Sequence, residues 1–168
     1  MKEELEKKIA ERFLFMRRKA FNKDDYRSGS LYDRYGLCVG DGWFDIIWSL
    51  CEDIETAYKN TGVEIDFVPS QVKEKFGILR FYYDVGAVRK TIHAFDFLGA
   101  GTLRSDEKST PLYQEVHNIV RRWEEASSKI CEVCGKPGIL RTDLSWALTL
   151  CDACHQNRVK ERKGGDNE

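Results

Sequence analysis

The chain has 168 residues, of which 42% are apolar, so it can form one ordinary core with or without a small module, but not two large domains. Charged residues make up 33% of the chain and nearly cancel to a formal net charge of −1, so bulk charge does not require a nucleic-acid or membrane partner. The N-terminus is too charged for a signal peptide, and no run approaches the roughly eighteen apolar residues of a membrane span, so we expect a protein of the bacterial cytoplasm.

The first apolar residues recur at helical spacing. Leu5, Ile9, Phe13 and Met16 form a stripe that predicts a helix over about residues 3–20, with the stripe facing the core. Residues 22–42 follow, rich in Asp, Gly, Ser and Tyr and without sustained periodicity, which predicts an irregular loop.

A second helix is predicted after this loop. Asp41 is placed to cap it, and Gly62 is placed to end it. The intervening apolar residues lie on one helical face: Phe44, Ile47, Trp48, Cys51, Ile54 and Tyr58.

The hydrophobic period then changes from 3.6 to 2, which predicts a β-hairpin over residues 63–84. Pro69 cannot donate a ladder hydrogen bond, so it marks an edge, a bulge or a break within this segment. The sequence VKEKFGILRFYY at 72–83 contains the turn, and two registers are open. A three-residue loop would place Glu74 near Arg80 and neutralise it.

A two- or four-residue loop would instead pair Val72 with the apolar side of the second strand. It would also gather five polar or aromatic side chains on the other face: Gln71, Lys73, Lys75, Arg80 and Tyr82. The apolar pattern favours this second register. Adjacent like charges across strands are unfavourable without an anion among them. That anion could be Asp41, Asp45 or Asp84, or it could be a bound phosphate.

The segment after the hairpin is less regular. Residues 86–98 could be helical, and the loop that follows could be a mobile insertion. A later helix is predicted from Thr110 as its cap and Pro111 in its first turn. We therefore expect an α+β core over residues 1–128, with helices packed on a small antiparallel sheet or hairpin.

Four cysteines give the most specific signal in the chain. Cys131 and Cys134 form one CxxC pair, and Cys151 and Cys154 form a second pair after sixteen intervening residues. This spacing is typical of four-cysteine zinc sites, and four thiolates fill a tetrahedral shell, which indicates structural rather than catalytic Zn²⁺. His155 could replace a cysteine as ligand, but a position beside the ligands is the more frequent role.

The order of elements around the cysteines predicts a treble-clef or zinc-ribbon module over residues 129–163, with a disordered tail over 164–168. A knuckle would be followed by a hairpin and then by a helix that starts on the second cysteine pair. Its last turns carry Arg158, Lys160, Arg162 and Lys163, which could contact nucleic-acid phosphates or form a solvated face.

Three motifs together resemble a family of small, uncharacterised proteins encoded by phages and prophages. They are GDGW at 40–43, VKEKFGILRFYY at 72–83, and the paired CxxC motifs at 131–154. The finger alone is also similar to the four-cysteine fingers of DksA/TraR transcription factors, whose long helical hairpin is not evident here. The phage resemblance implies an accessory product that acts on host defence, host metabolism or nucleic acid.

The functional hypothesis is a non-enzymatic binding protein. Lys73, Lys75 and Arg80 would hold phosphate, and Trp43 or Tyr82 would pack against a base of a nucleotide or other phosphorylated ligand. Trp43 could equally be a core residue at the start of its helix. Alternative partners are a host protein, or nucleic acid bound by a transcription-associated finger. No Ser-His-Asp set, histidine pair or glycine-rich phosphate loop points to an enzyme.

Overall fold

The computed structural model describes residues 1–25, 28–85 and 110–165. The first helix, α1, spans Glu3–Arg12 and is followed by a 3-10 turn at Leu14–Met16, so it ends earlier than predicted. Phe13 lies between them with an extended backbone. Both Phe13 and Met16 are fully buried, and the break in the helix lets the chain turn toward the core at this point.

The segment predicted to be an irregular loop contains two short elements. Helix α2 spans Leu31–Tyr35, and strand β1 spans Leu37–Cys38. Ser30 and Asp33 form a reciprocal capping box at the start of α2. This Ser-x-x-acid pattern is a helix-start signal that the sequence contained.

Helix α3 spans Phe44–Thr61 and ends at Gly62, which has a left-handed backbone, as predicted. Its start differs from the prediction. Asp41 does not cap α3, because a 3-10 turn at Asp41–Trp43 precedes the helix. The Asp41 carboxylate instead accepts a hydrogen bond from the Lys2 amide at 2.7 Å.

The sheet has three strands in the order β1-β2-β3. Strand β2 spans Val68–Lys75 and β3 spans Ile78–Asp84; they pair antiparallel, with an irregularity between Pro69 and Gln71. Strand β1 pairs parallel to β2, so the sheet is mixed rather than antiparallel as predicted. Strand β2 begins at Val68 and not at residue 63 as predicted, because residues 63–67 have no regular structure.

Helix α4 spans Pro111–Ser127, and the Thr110 hydroxyl caps it by accepting from the Tyr113 amide, as predicted. It packs against α3 and along β3. Together these elements enclose a core of fully buried side chains from α1, α3, α4 and the hairpin, among them Ile9, Phe13, Ile47, Leu50, Ile54, Tyr58, Val72, Leu79 and Val116.

The C-terminal part follows the predicted order of knuckle, hairpin and helix. Strands β4 at Ile139–Arg141 and β5 at Leu148–Leu150 pair antiparallel, and α5 spans Asp152–Gly165. Helix α5 thus includes the first residues of the predicted tail, and the last three residues lie outside the described part, as do the predictions for 86–98 and the loop after it. Within the described ranges, no helix is long and apolar enough to cross a bilayer.

Candidate metal centre and cationic hairpin

The structure brings the four predicted cysteines together. The sulfur atoms of Cys131, Cys134, Cys151 and Cys154 all lie within 4.8 Å of one another, close enough to hold a metal ion. The first two come from the knuckle, where the Cys131 amide donates to the Lys136 carbonyl and the Gly135 amide donates to the Cys131 carbonyl. The second two flank the start of α5. The mixed helix-and-sheet fold therefore carries a four-thiol cluster that fits a metal.

A backbone donor favours the thiolate form of Cys151, whereas burial and the neighbouring sulfurs raise the pKa of Cys154. The Cys154 amide donates to the Cys151 sulfur at 3.5 Å. This hydrogen bond is the main cause that lowers the pKa of Cys151 to about 7. A lowered thiol pKa suits a metal ligand, because the thiolate is the species that binds the metal.

His155 lies beside the cluster but points to a carboxylate. Its Nε2 is 2.9 Å from Asp143 Oδ2 and 3.1 Å from Oδ1. The imidazole therefore has a partner in the loop between β4 and β5. This contact ties the start of α5 to the finger hairpin and leaves the metal shell to the four cysteines.

The GDGW motif packs against the knuckle, which is the turn that carries Cys131 and Cys134, and we call this part of the motif the seat. The Gly42 amide donates to the Glu132 carbonyl at 2.7 Å, and the Gly40 amide donates to the Glu132 carboxylate at 2.8 Å. A Cβ on Gly42 would lie 2.3 Å from the Cys131 carbonyl oxygen and 2.4 Å from the Gly135 amide nitrogen. Only glycine fits at this approach of two backbones.

Trp43 belongs to the same seat and is not a ligand-binding residue in this structure. Its side chain is fully buried, and its indole Nε1 donates to the Ile130 carbonyl at 2.9 Å. The hypothesis that Trp43 packs against a base is wrong, because no ring face is open to a ligand. The alternative of a core residue at the start of α3 is correct.

The tip of the β2–β3 hairpin also contacts the finger. The Thr149 hydroxyl donates to the Gly77 carbonyl at 2.7 Å, and the Trp146 indole donates to Glu74 Oε2 at 2.7 Å. Glu74 Oε1 also accepts from the Gly77 amide. Glu74 is thus held by the turn and the finger rather than by Arg80.

The second of the two predicted registers is confirmed. Lys75 pairs with Ile78, so Phe76 and Gly77 form a two-residue loop, and Val72 pairs with Phe81. Lys73 lies directly opposite Arg80. The Lys73 ammonium is 5.3 Å from the centroid of the Tyr82 ring. Lys73, Lys75, Arg80 and Tyr82 therefore share one face of the hairpin, which we call the cationic face.

A carboxylate from α4 reaches Arg80, and it is not one of the three aspartates considered from the sequence. Glu124 Oε2 is 3.6 Å from Arg80 Nη1, and Glu124 Oε1 accepts from the Phe81 amide at 2.8 Å. The Arg80 Nε is buried without a hydrogen-bond acceptor among the described residues. The protein therefore offsets part of the positive charge at this site and leaves one guanidinium donor unsatisfied.

Two open clefts lie away from the cationic face. One, of about 380 Å³, lies between α3 and α4 and is lined by Asp53 and Arg122 among others. The other, of about 540 Å³, lies between α1 and α3 around Phe44 and Trp48. Neither is lined by a predicted ligand residue.

Sequence reasoning missed two exposed aromatic residues at the junction of hairpin and finger. Phe76 and Trp146 stack on each other with ring centroids 5.8 Å apart. A signal for Phe76 was present, since a bulky residue in a two-residue hairpin loop is unusual. Trp146 gave no local signal, because its contact with the hairpin spans 70 residues.

In comparisons with known proteins, no family model, curated protein or solved structure matches the chain.

Proposed function

We propose that the protein is a non-enzymatic zinc protein whose finger has the treble-clef order and whose hairpin binds a phosphate-bearing ligand. The four sulfurs within 4.8 Å support the metal. Zn²⁺ prefers tetrahedral thiolate ligands, and a shell filled by Cys131, Cys134, Cys151 and Cys154 leaves no position for a substrate. The zinc would therefore stabilise the fold rather than catalyse a reaction.

Metal content tests the first half of the proposal. We expect one zinc per chain by elemental analysis of the purified protein, and loss of that zinc in Cys151→Ser. His155→Ala is the matched control, because it removes a neighbouring ligand-type side chain and should keep the metal. Equal loss in both variants would contradict the four-cysteine shell.

The second half of the proposal, binding of a phosphate-bearing ligand, is based on the cationic face. Lys73 and Arg80 are direct cross-strand neighbours, and like charges in this arrangement are unfavourable unless an anion lies among them. Glu124 Oε2 lies 3.6 Å from Arg80 Nη1, beyond hydrogen-bonding distance, so it offsets only part of the positive charge of this pair. A phosphate would interact with Lys73 and Lys75 as well, with Tyr82 beside them.

Calorimetric titration with ATP and with inorganic pyrophosphate tests this site. We expect binding that weakens as salt is raised and that falls about tenfold in Lys73→Ala, in line with a lost charge-assisted contact. Lys7→Ala is the control, because that lysine lies on α1 with 74% of its side chain exposed. Absence of binding by either probe, or equal effects of the two variants, would overturn the ligand proposal.

The wider context remains a prediction from the motif resemblance. A phage-type accessory role in host counter-defence, with a phosphorylated signal or a host protein as partner, is compatible with a binding protein that has no catalytic set. Pull-down from infected cells of the intact protein and of Lys73→Ala would identify a partner that depends on the cationic face.

A further inference from the structure

We propose that the hairpin tip and the finger together form a stacking surface for the bases of single-stranded nucleic acid, an inference that rests on the phosphate-binding function proposed above. Phe76 at the tip and Trp146 between β4 and β5 stack with an interplanar angle of 15°. Phe76 is 57% exposed and Trp146 is 52% exposed. More than half of this aromatic pair is therefore available to a ligand.

The backbone at Phe76 is the second observation. Phe76 has a φ of 55° and Gly77 a φ of 77°. A two-residue turn with both φ values positive favours Asn-Gly, and a bulky aromatic residue at the first position is strained. Burial does not offset this strain, because the side chain is largely exposed. Strained residues of this kind occur preferentially at functional sites.

The aromatic pair is held rigidly by both parts of the molecule. The Trp146 indole is fixed by Glu74, and the Gly77 carbonyl is fixed by Thr149, each at 2.7 Å. A Cβ on Gly77 would meet the Leu140 side chain at 2.5 Å, so hairpin and finger are in close contact at the turn. A preorganised surface of this kind loses little side-chain entropy when a ligand binds.

The charges beside the pair match a nucleic-acid strand. The Lys75 ammonium is 5.6 Å from the Phe76 ring centroid. Lys73 and Arg80 continue the cationic face away from the tip, one strand repeat of about 6.7 Å further on. In this proposal the phosphates of a bound strand follow Lys75 to Lys73 and Arg80, while the Glu74 carboxylate, which alternates with these lysines along β2, is occupied by the Trp146 indole. This combination of stacking and a positive track is how proteins bind single strands without reading sequence.

Other partners fit less well. Double-stranded DNA keeps its bases inside the helix, so it would use the cations but not the aromatic pair. An acidic peptide would also use the cations, but it offers no flat ring for the exposed aromatic surface.

Fluorescence anisotropy with a labelled twelve-nucleotide oligo-dT separates these possibilities. We expect the single strand to bind more tightly than a duplex of equal length, and binding to weaken about tenfold in Phe76→Asn. This variant places Asn-Gly in the turn, which suits the backbone, so the hairpin should remain folded and circular dichroism should be unchanged. Tyr35→Ala is the control, because it removes an aromatic side chain that is 65% exposed from α2 and leaves the two aromatic residues of the tip unchanged.

The outcomes distinguish this inference from the proposed function. If ATP and pyrophosphate bind in a Lys73-dependent manner while oligo-dT binds no better than duplex, the stacking inference fails and the phosphate site stands. If oligo-dT binds equally to Phe76→Asn and to the unaltered protein, the aromatic pair has no role. If a poly-glutamate peptide displaces ATP and oligo-dT does not, the inferred nucleic-acid ligand is wrong and the partner is an acidic protein. If none of the probes binds, both proposals fail.

Discussion

Asp33 joins the start of α2 to the segment that follows α1. Its Oδ1 accepts from the Lys19 amide at 2.7 Å, and its Oδ2 accepts from the Ser30 amide and hydroxyl at 2.9 and 2.8 Å. Burial raises the pKa of this carboxyl, but the hydrogen bonds from Ser30 and Lys19 outweigh it, and the net effect is a lowered pKa. The ionised form is therefore favoured by folding.

This arrangement predicts a pH-dependent effect of Asp33→Asn. An amide has one acceptor oxygen and would turn its NH₂ group toward one of the donors, so we expect a loss of about 1–3 kcal/mol of unfolding free energy at pH 7. Because the folded pKa lies below the unfolded one, the contribution of Asp33 is present above about pH 4 and disappears as the pH falls through the folded pKa. Urea unfolding at pH 7 and pH 3 measures the difference.

The control for this prediction is Asp24→Asn, in which the altered side chain is exposed in the same loop region. It should change the unfolding free energy by less than about 0.5 kcal/mol at either pH. A difference between Asp33→Asn and the unaltered protein that stays constant from pH 7 to pH 3 would show that the carboxylate charge is not what stabilises the site.

At the scale of elements, α4 protects the outer edge of the sheet. The Leu79 amide donates to Ser127 Oγ at 2.9 Å, and the Phe81 amide donates to Glu124 at 2.8 Å. Unpaired amides of an edge strand are open to intermolecular pairing, and two side chains of α4 occupy them here. The same Glu124 reaches Arg80, so α4 connects edge protection to the cationic face.

Ser127→Ala tests the edge contact. Ser127 is fully buried, so its loss would leave the Leu79 amide without an acceptor, and we expect about 1–3 kcal/mol less unfolding free energy by urea titration. Ser128→Ala is the matched control, because the Ser128 hydroxyl donates to the Glu125 carbonyl as the Ser127 hydroxyl does to the Glu124 carbonyl, but Ser128 is only half-buried. Equal effects of the two variants would indicate a general helix effect instead of edge protection.

Local patterns predicted the elements that depend on neighbouring residues. The end of α3 at Gly62 and the start of α4 at Thr110 follow from residues within one turn, and the hairpin register follows from the apolar alternation of its two strands, which left a two- or four-residue loop open. Strand β1 was missed because two residues carry no measurable period, and its partner Val72 lies 35 residues later. The helix cap expected at Asp41 failed because the N-terminal segment competes for the same carboxylate.

The candidate site shows the same difference between features that neighbouring residues determine and features that distant residues determine. The cysteine ligands could be predicted because their spacing is set by local chain geometry. The roles of GDGW and of the hairpin tip could not, since both motifs are shaped by the finger, far along the chain. Gly40 and Gly42 of the GDGW motif form the seat for the knuckle, and Gly42 approaches Cys131 and Gly135 there. The Trp43 prediction was wrong for the same reason.

At the scale of the whole molecule, the finger has almost no core of its own. The main hydrophobic cluster is formed by residues between Ile9 and Val120, whereas the finger contributes Cys131, Thr149 and Leu150 as its fully buried residues. A module with so little apolar burial would depend on the proposed metal to stay folded. We expect the core of α1, α3, α4 and the hairpin, in contrast, to persist without the metal, because its buried apolar side chains form the main cluster.

Removal of the proposed zinc should therefore unfold the finger and loosen two distant loops while the core persists. With a chelator present, we expect hydrogen exchange to speed up at the Gly42 amide, which donates to Glu132, and at Gly77, whose carbonyl is held by Thr149. Amides of α3 and of the central hairpin should stay protected, because their contacts lie within the main cluster. His155→Ala should retain zinc, and exchange at the Gly42 amide should stay slow in this variant. Faster exchange confined to residues after Ile130 would show that the finger does not support either loop.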